Sequence, residues 1–265
     1  MESAAELVKT AGLQRRLVAR LRQFGGVVLD QLYPPMCLNC DGPVISADTL
    51  CPACFAQLRP ITAPLCPRLG LPFEVSLGAD ALSAEAIADP PPFARARAAV
   101  AYNDLAGALV SRLKYGDRPE LARFCAQLMV GAGHEFWADR PLLVPVPLHA
   151  ARLRERRYNQ SGELALALGR LTGLPTDPTL VRRIRKTRQQ VGLSGDGRAR
   201  NVAGAFAMHP DGLARAKGRR VVVIDDVYTT GATIKAVTRA LRKGGIDHVD
   251  VLSFARVVVS AEMPI

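Results

Sequence analysis

An α/β fold, a mostly parallel twisted sheet flanked by helices behind a small cysteine-rich front module, is what this sequence predicts. Three observations carry that prediction. From about residue 97 onward, apolar runs of strand length alternate with amphipathic stretches of helical period, the pattern of strands joined by helical crossovers. The most apolar run, VVVI at 221–224, is continuous rather than alternating, as a strand covered on both faces requires. Four of the six cysteines fall in CLNCDGPVISADTLCPAC, at 37–54, well ahead of the alternating region.

Each element follows from its local pattern. Residues 1–32 read as an Arg-rich amphipathic helix with Leu7, Leu13, Leu17 and Leu21 roughly on one side, able to dock on the body of the protein or to lie on an anionic membrane or partner. Residues 33–66 make up the cysteine module. Residues 67–96, rich in Pro and Ala with little periodicity, read as a loop-heavy connector to a domain spanning 97–265. Within that domain Ala98–Tyr102 predicts a strand. Leu105, Leu109, Val110 and Leu113 mark a helix, and 119–138 a second. LLVPVP predicts a short buried strand ending at Pro145, and 160–172 a helix with Leu164, Leu168 and Leu171 on one face. Residues 179–184 and 204–208 predict short strands around a basic loop. RVVVID is a strand, GATIKAVTRALRKGG a helix turned inward through Ile234, Val237 and Leu241, and VDVLSFARV the last strand.

The 35 basic and 24 acidic residues give a formal charge of +11. That excess points to a polyanionic partner, a phosphorylated metabolite or nucleic acid, or else to a compositional bias toward Arg and Ala. No apolar run approaches the roughly 18 residues of a membrane span. The first residues carry Glu2 and Glu6 and lack the apolar block of a secretory signal. A cytoplasmic protein without a transmembrane segment is expected.

The front module reads C-x2-C-x10-C-x2-C at Cys37, Cys40, Cys51 and Cys54. Two short knuckles across a polar excursion can bring four thiolates around one Zn2+, and the short spacer suits a zinc-ribbon hairpin. Disulfides are the rival reading, disfavoured in a reducing compartment. Four thiolate ligands leave no position for water, so the zinc would be structural. Cys66 opens CPRLG, which looks like half of another knuckle with Leu69 in place of its second cysteine. Cys125, among Leu121, Phe124 and Leu128, reads as core.

The stretch VVVIDDVYTTGAT, 221–233, ends a buried strand on two adjacent carboxylates, Asp225 and Asp226. In parallel α/β sheets ligands sit at the carboxyl ends of the strands, where two acids can accept hydrogen bonds from neighbouring ribose hydroxyls. Thr229, Thr230, Gly231, Ala232 and Thr233 then supply hydroxyls, a close backbone approach and N–H groups at a helix N-terminus, an anion cradle. Carboxylates for ribose beside N–H groups for phosphate describe a 5-phosphoribosyl site. The stretch resembles the phosphoribosyl-pyrophosphate (PRPP) motif of type I phosphoribosyltransferases. Neither G-x-x-x-x-G-K-[ST] nor G-x-G-x-x-G occurs. Two further segments fit a diphosphate. One, LVPVPLHAARLRERRYNQS at 143–161, presents His149 and Arg152, Arg154, Arg156 and Arg157 after a strand end. The other, the basic segment 182–201, has the make-up of a mobile lid that would exclude water.

Taken together, PVPLH with Arg152 and the Asn159–Gln160 pair, T-x2-Q-x2-L, R-x2-N-x2-GAF and DDVYTTGAT, downstream of paired CxxC knuckles, resemble the ComF family from about Leu32 to Arg256. These are bacterial proteins with a Cys-rich N-terminal ribbon and a type I phosphoribosyltransferase-like domain, associated with competence for DNA uptake. The resemblance implies a PRPP-binding protein that transfers a phosphoribosyl group with release of pyrophosphate, in competence or nucleotide salvage. It implies Asp225 and Asp226 on the ribose hydroxyls or the second shell of Mg2+, and Thr229–Thr233 on the 5′-phosphate. Val146, Pro147, Leu148 and His149 would form a pyrophosphate loop supported by Arg152, Asn159 and Gln160. Thr187, Gln190, Arg198 and Asn201 would belong to a flexible loop, and Lys114 to the pyrophosphate side. The alternative is a non-catalytic PRPP or nucleotide sensor, or a single-stranded-DNA-binding accessory of the uptake machinery. No segment is assignable to an acceptor base. Two departures stand out: Arg157-Tyr158-Asn159-Gln160 replaces the family's RGFNQ, and Cys66 alone remains of a second cysteine set.

Overall fold

The computed structural model describes residues 34–115, 119–149, 153, 158–185 and 195–258. The chain divides into two compact units, Met1–Ala53 and Cys54–Ile265. The predicted N-terminal helix lies outside the described residues.

In the smaller unit the chain turns back on itself after Cys37. The Cys37 N–H donates to the Gly42 carbonyl (2.7 Å), and Asp41 takes a left-handed φ of 56° to close the turn. A short helix, α1 (Pro52–Phe55), follows Cys51.

The larger unit is built on a four-stranded, wholly parallel sheet of β1 (Ala96–Ala101), β2 (Leu142–Pro145), β5 (Val221–Tyr228) and β6 (Val249–Arg256), in the order β1-β6-β5-β2. The two central strands are buried almost throughout, which is why their sequences are continuous apolar runs. Helices cover both faces. On one, α8 (Ala232–Lys243) packs Ile234, Val237 and Leu241 against Val221, Val223 and Val251. On the other lie α4 (Pro119–Ala132) and α5 (Gln160–Thr172), which pack on each other, with α4 against β6 and α5 against β5. Helix α3 (Asp104–Tyr115) leads from β1 to α4. No helix among the described residues is long and apolar enough to cross a membrane.

Three elements differ from their sequence expectation. The helix predicted over 119–138 stops at Ala132 and resumes as a 3-10 turn, His134–Asp139. Gly133 permits the break: a Cβ there would lie 2.5 Å from the Trp137 ring, which folds back to donate Nε1–H to the Val130 carbonyl at 3.0 Å. The strands expected near 179–184 and 204–208 form as β3 (Val181–Arg183) and β4 (Phe206–Met208), but as a separate antiparallel pair. The end of the basic segment between them is helical, α6 (Gly195–Val202), and Val202 is buried in the core beside Ala205.

The stretch 67–96 reads in sequence as a connector, yet it contributes to the core of the larger unit. Leu69, Ala86 and Phe93 are buried together with Cys66, Tyr228 and Val251. Turns and the short helix α2 (Ala84–Ala88) deliver these side chains, so they carry no periodic signature.

Candidate functional site

The carboxyl ends of the parallel strands form one edge. There the Val146 N–H donates to the Ile224 carbonyl (2.9 Å), the Tyr102 N–H to the Arg256 carbonyl (2.7 Å), and Asp225 stands level with Ser253. Asp225 and Asp226 are both buried, at 8% and 6% exposure. Helix α5 brings Ser161 in its first turn to Asp225, donating Oγ–H to Oδ1 at 2.9 Å. The Asp226 N–H donates to the same oxygen at 3.0 Å. Helix α3 brings Lys114 near its C-terminus, with Nζ 2.8 Å from Asp226 Oδ2.

The two acids are therefore not equivalent. Burial, and then the adjacent charge of Asp226, raise the Asp225 carboxyl well above the usual range. Asp226 has its own cation. Two carboxyl groups this close oppose each other's ionisation. The same field reaches Cys125, whose thiol is pushed up by burial and by Asp226.

Strand β5 does not end on the acids as its sequence suggests but continues through Val227 and Tyr228, paired with Ala255 and Arg256; beyond it Gly231 is the N-cap of α8 with φ 72°, a left-handed turn that glycine adopts freely. Thr229 and Thr230 are exposed above buried Gly231 and Ala232, with half-buried Thr233 in the first turn. The first N–H groups of a helix have no intrahelical acceptor, and here they follow directly on the two exposed threonines. An anion can be held there.

The loop after β2 stands alongside. Val146 and Pro147 are buried and Leu148 and His149 half-buried. Asn159 donates Nδ2–H to the Val146 carbonyl at 3.0 Å, tying this loop to the start of α5. Two buried oxygens, Asn159 Oδ1 and Gln160 Oε1, have no partner among the described residues. Buried polar atoms are ordinarily satisfied, so a ligand or ordered water is the expected partner.

The structure thus gathers Asp225, Asp226 and Lys114 directly, and ties Val146 to Asn159. Ser161 was not evident from sequence. The only signal for it is a hydroxyl residue following Asn159-Gln160 at a helix start. Asn201 lies in α6 and accepts from Arg185 through its carbonyl; Arg198 shares that helix. Arg152, Thr187 and Gln190 lie outside the described residues.

At the front of the chain, the sulfurs of Cys37, Cys40, Cys51 and Cys54 all lie within 4.8 Å of one another, Cys40 and Cys51 at 3.7 Å. A tetrahedron with Zn–S bonds of ~2.3 Å has S···S edges of roughly 3.8 Å, so the cluster fits zinc. Burial pushes the Cys37 thiol up, but N–H groups of Cys40, Cys51 and Asn39 outweigh it and bring the thiol down to about 6, favouring the thiolate that zinc requires. Cys51→Ser is expected to lower zinc affinity by more than the roughly 10–100-fold that losing an outer-shell partner costs. Chelator competition measures it, and unchanged affinity would remove Cys51 from the ligand set.

Comparison with known proteins agrees with both regions. Residues 28–87 match the double zinc ribbon domain and residues 172–262 the phosphoribosyl transferase domain. The chain is 31% identical to the DNA utilization protein YhgH of Salmonella typhi, over 84% of this chain and 97% of that protein. It is 29% identical to competence protein F of Haemophilus influenzae (83% and 96%). It is 28% identical to competence protein ComFC of Bacillus subtilis (75% and 80%).

Proposed function

The chain belongs to the ComF family of competence and DNA-utilisation proteins, and on that premise we propose that its sheet edge binds PRPP and transfers the phosphoribosyl group with release of pyrophosphate. The observation that carries this reading is the pair of buried acids of β5 at the carboxyl edge of the sheet, one accepting from Ser161 and one paired with Lys114, next to a helix N-terminus. The ribose hydroxyls would donate to Asp225 and Asp226, and Thr229–Thr233 would cradle the 5′-phosphate. Val146–His149, Asn159 and Gln160 would line the diphosphate side, with the basic residues of 152–157 and 186–198 completing it.

Lys114 has a defined part in this arrangement. With the site empty it neutralises Asp226; with PRPP bound, the diphosphate offers it a second anion. Mg2+ would accompany the diphosphate and supply charge neutralisation of the leaving group. Stabilising that charge and excluding water is the catalytic contribution open to these residues. No protein nucleophile is needed.

A non-catalytic reading, a PRPP sensor, draws support from the shortage of walls for an acceptor base: aromatic residues make up only 5% of the chain. Single-stranded DNA is a further partner for a chain of charge +11. Incubating the full chain with PRPP, Mg2+ and a panel of bases and amines, and measuring pyrophosphate, separates these. Pyrophosphate release with one acceptor supports transfer. Calorimetric PRPP binding without release with any acceptor supports the sensor. Absence of binding sinks both.

A further inference from the structure

The segment after the first ribbon repeats it. The Cys37 N–H donates to Gly42 O, Asp41 N–H to Cys37 O, and Val44 N–H to Pro35 O, with Met36 bridging Pro43. At one constant offset, Cys66 N–H donates to Leu71 O, Gly70 N–H to Cys66 O, and Phe73 N–H to Pro64 O, with Leu65 bridging Pro72. The left-handed turn residue recurs as well, with φ 56° at Asp41 and 64° at Gly70. The second knuckle recurs too. Cys51 stands just before α1 and donates its N–H to Cys37 Sγ at 3.2 Å. Ser83 stands just before α2 and donates its N–H to Cys66 Sγ at 3.3 Å. Cys54 and Ala86 are each the third residue of their helix.

We infer that residues 64–88 are a second zinc ribbon that has exchanged its metal for packing, with Cys66, Leu69, Ser83 and Ala86 in the four ligand positions. Leucine and alanine offer no ligand atom, so this set does not fit the zinc that a double ribbon implies. In its place the Ser83 hydroxyl donates to Cys66 Sγ at 3.4 Å, the Leu69 N–H reaches the same sulfur at 3.5 Å, and Leu69 and Ala86 are buried at 1% and 3% exposure.

Freed of metal, the copy has become a wall of the phosphoribosyltransferase-like domain. The Leu69 carbonyl and Glu85 carboxylate accept from Arg256, whose guanidinium stacks 4.1 Å over the Tyr228 ring beneath Gly231. Gly70 lies so close to the Ala96 carbonyl that a Cβ would sit 2.3 Å from its oxygen. The first ribbon therefore depends on zinc for its fold, and the second does not. This inference stands independently of PRPP binding.

Alkylation of the metal-replete full chain, before and after a zinc chelator, with labelled cysteines mapped by mass spectrometry, tests it. Chelation is expected to expose Cys37, Cys40, Cys51 and Cys54 to label while Cys66 stays protected. Labelling of Cys66 in step with those four overturns the inference, as does elemental analysis finding two zincs in the unsubstituted chain. In the Leu69→Cys/Ser83→Cys/Ala86→Cys variant, zinc is expected to rise from about one to about two per chain. A folded variant that still holds one overturns the assignment of ligand positions; should the variant not fold, the labelling result decides.

Discussion

Replacing Asp225 and Asp226 together with asparagine is expected to abolish PRPP binding while leaving the fold in place. Both side chains are buried at the sheet edge, and the amides keep their volume. What is lost, on the proposed reading, is the carboxyl pair that meets the ribose hydroxyls. An ordinary hydrogen bond is worth about 0.5–1.5 kcal/mol and one to a charged group about 1.5–3 kcal/mol, so one of each accounts for roughly one to three orders of magnitude in affinity. Calorimetry with PRPP and Mg2+ measures it, and equal affinity in the variant would move the ligand elsewhere.

The single change Asp225→Asn carries its own stability prediction. Because burial and Asp226 raise the Asp225 carboxyl in the folded state, the native protein holds a proton that the unfolded chain releases. That contribution is fully present below the ordinary carboxylate range and is lost as pH rises through the raised folded value. Asparagine cannot titrate, and its amide can still donate toward Asp226. The variant should therefore match the parent in acid and exceed it increasingly toward neutral pH, by about 1–3 kcal/mol. Urea unfolding across a pH series reads this; a gap that stays constant or closes with rising pH contradicts the raised Asp225 carboxyl.

The second large effect is expected at Gly231. A side chain there meets two independent penalties. Its φ of 72° lies in the left-handed region, which costs a non-glycine residue about 1–2 kcal/mol. Its Cβ would also lie 2.4 Å from the Tyr228 hydroxyl oxygen and 2.6 Å from Cζ. Tyr228 has nowhere to retreat, since Arg256 stacks on its face and the Phe93 ring meets it edge-on at a centroid distance of 6.4 Å. Overpacking of this kind costs about 1–3 kcal/mol, so Gly231→Ala should lose about 2–5 kcal/mol of stability and displace the loop 229–233. Tyr228→Phe removes an oxygen that has no partner among the described residues. Alone it should be close to neutral, and in the Gly231→Ala background it should recover part of the loss. Strict additivity in that double-mutant cycle would mean the two residues do not touch.

Much of this architecture was legible residue by residue because its causes are local. Helix α5 spans Gln160–Thr172, the range its periodicity predicts, with Asn159 at its N-cap and Gly173 in a left-handed C-cap. Strand β5 declares itself by four successive apolar residues, and the zinc ligands by two CxxC knuckles. The acid pair of β5 stands out in the sequence because an otherwise apolar strand has no ordinary use for both.

The partners of those acids were not legible. Ser161 and Asp225 are separated by 64 positions, and nothing in either neighbourhood names the other. Lys114 enters the site from sequence only through the family resemblance, on the pyrophosphate side, and nothing local to it names Asp226. The second ribbon was half hidden for a related reason: once its ligands became Leu69, Ser83 and Ala86, its signature left the sequence and persisted only in backbone hydrogen bonds. The sequence by itself determined the elements, the acid pair and the thiolate cluster, since periodicity, capping and ligand spacing act within a few residues. Only the fold brings Ser161 to Asp225, Lys114 to Asp226 and the Arg256 guanidinium over the Tyr228 ring. Those outcomes depend on burial and on charges that meet only when the sheet closes.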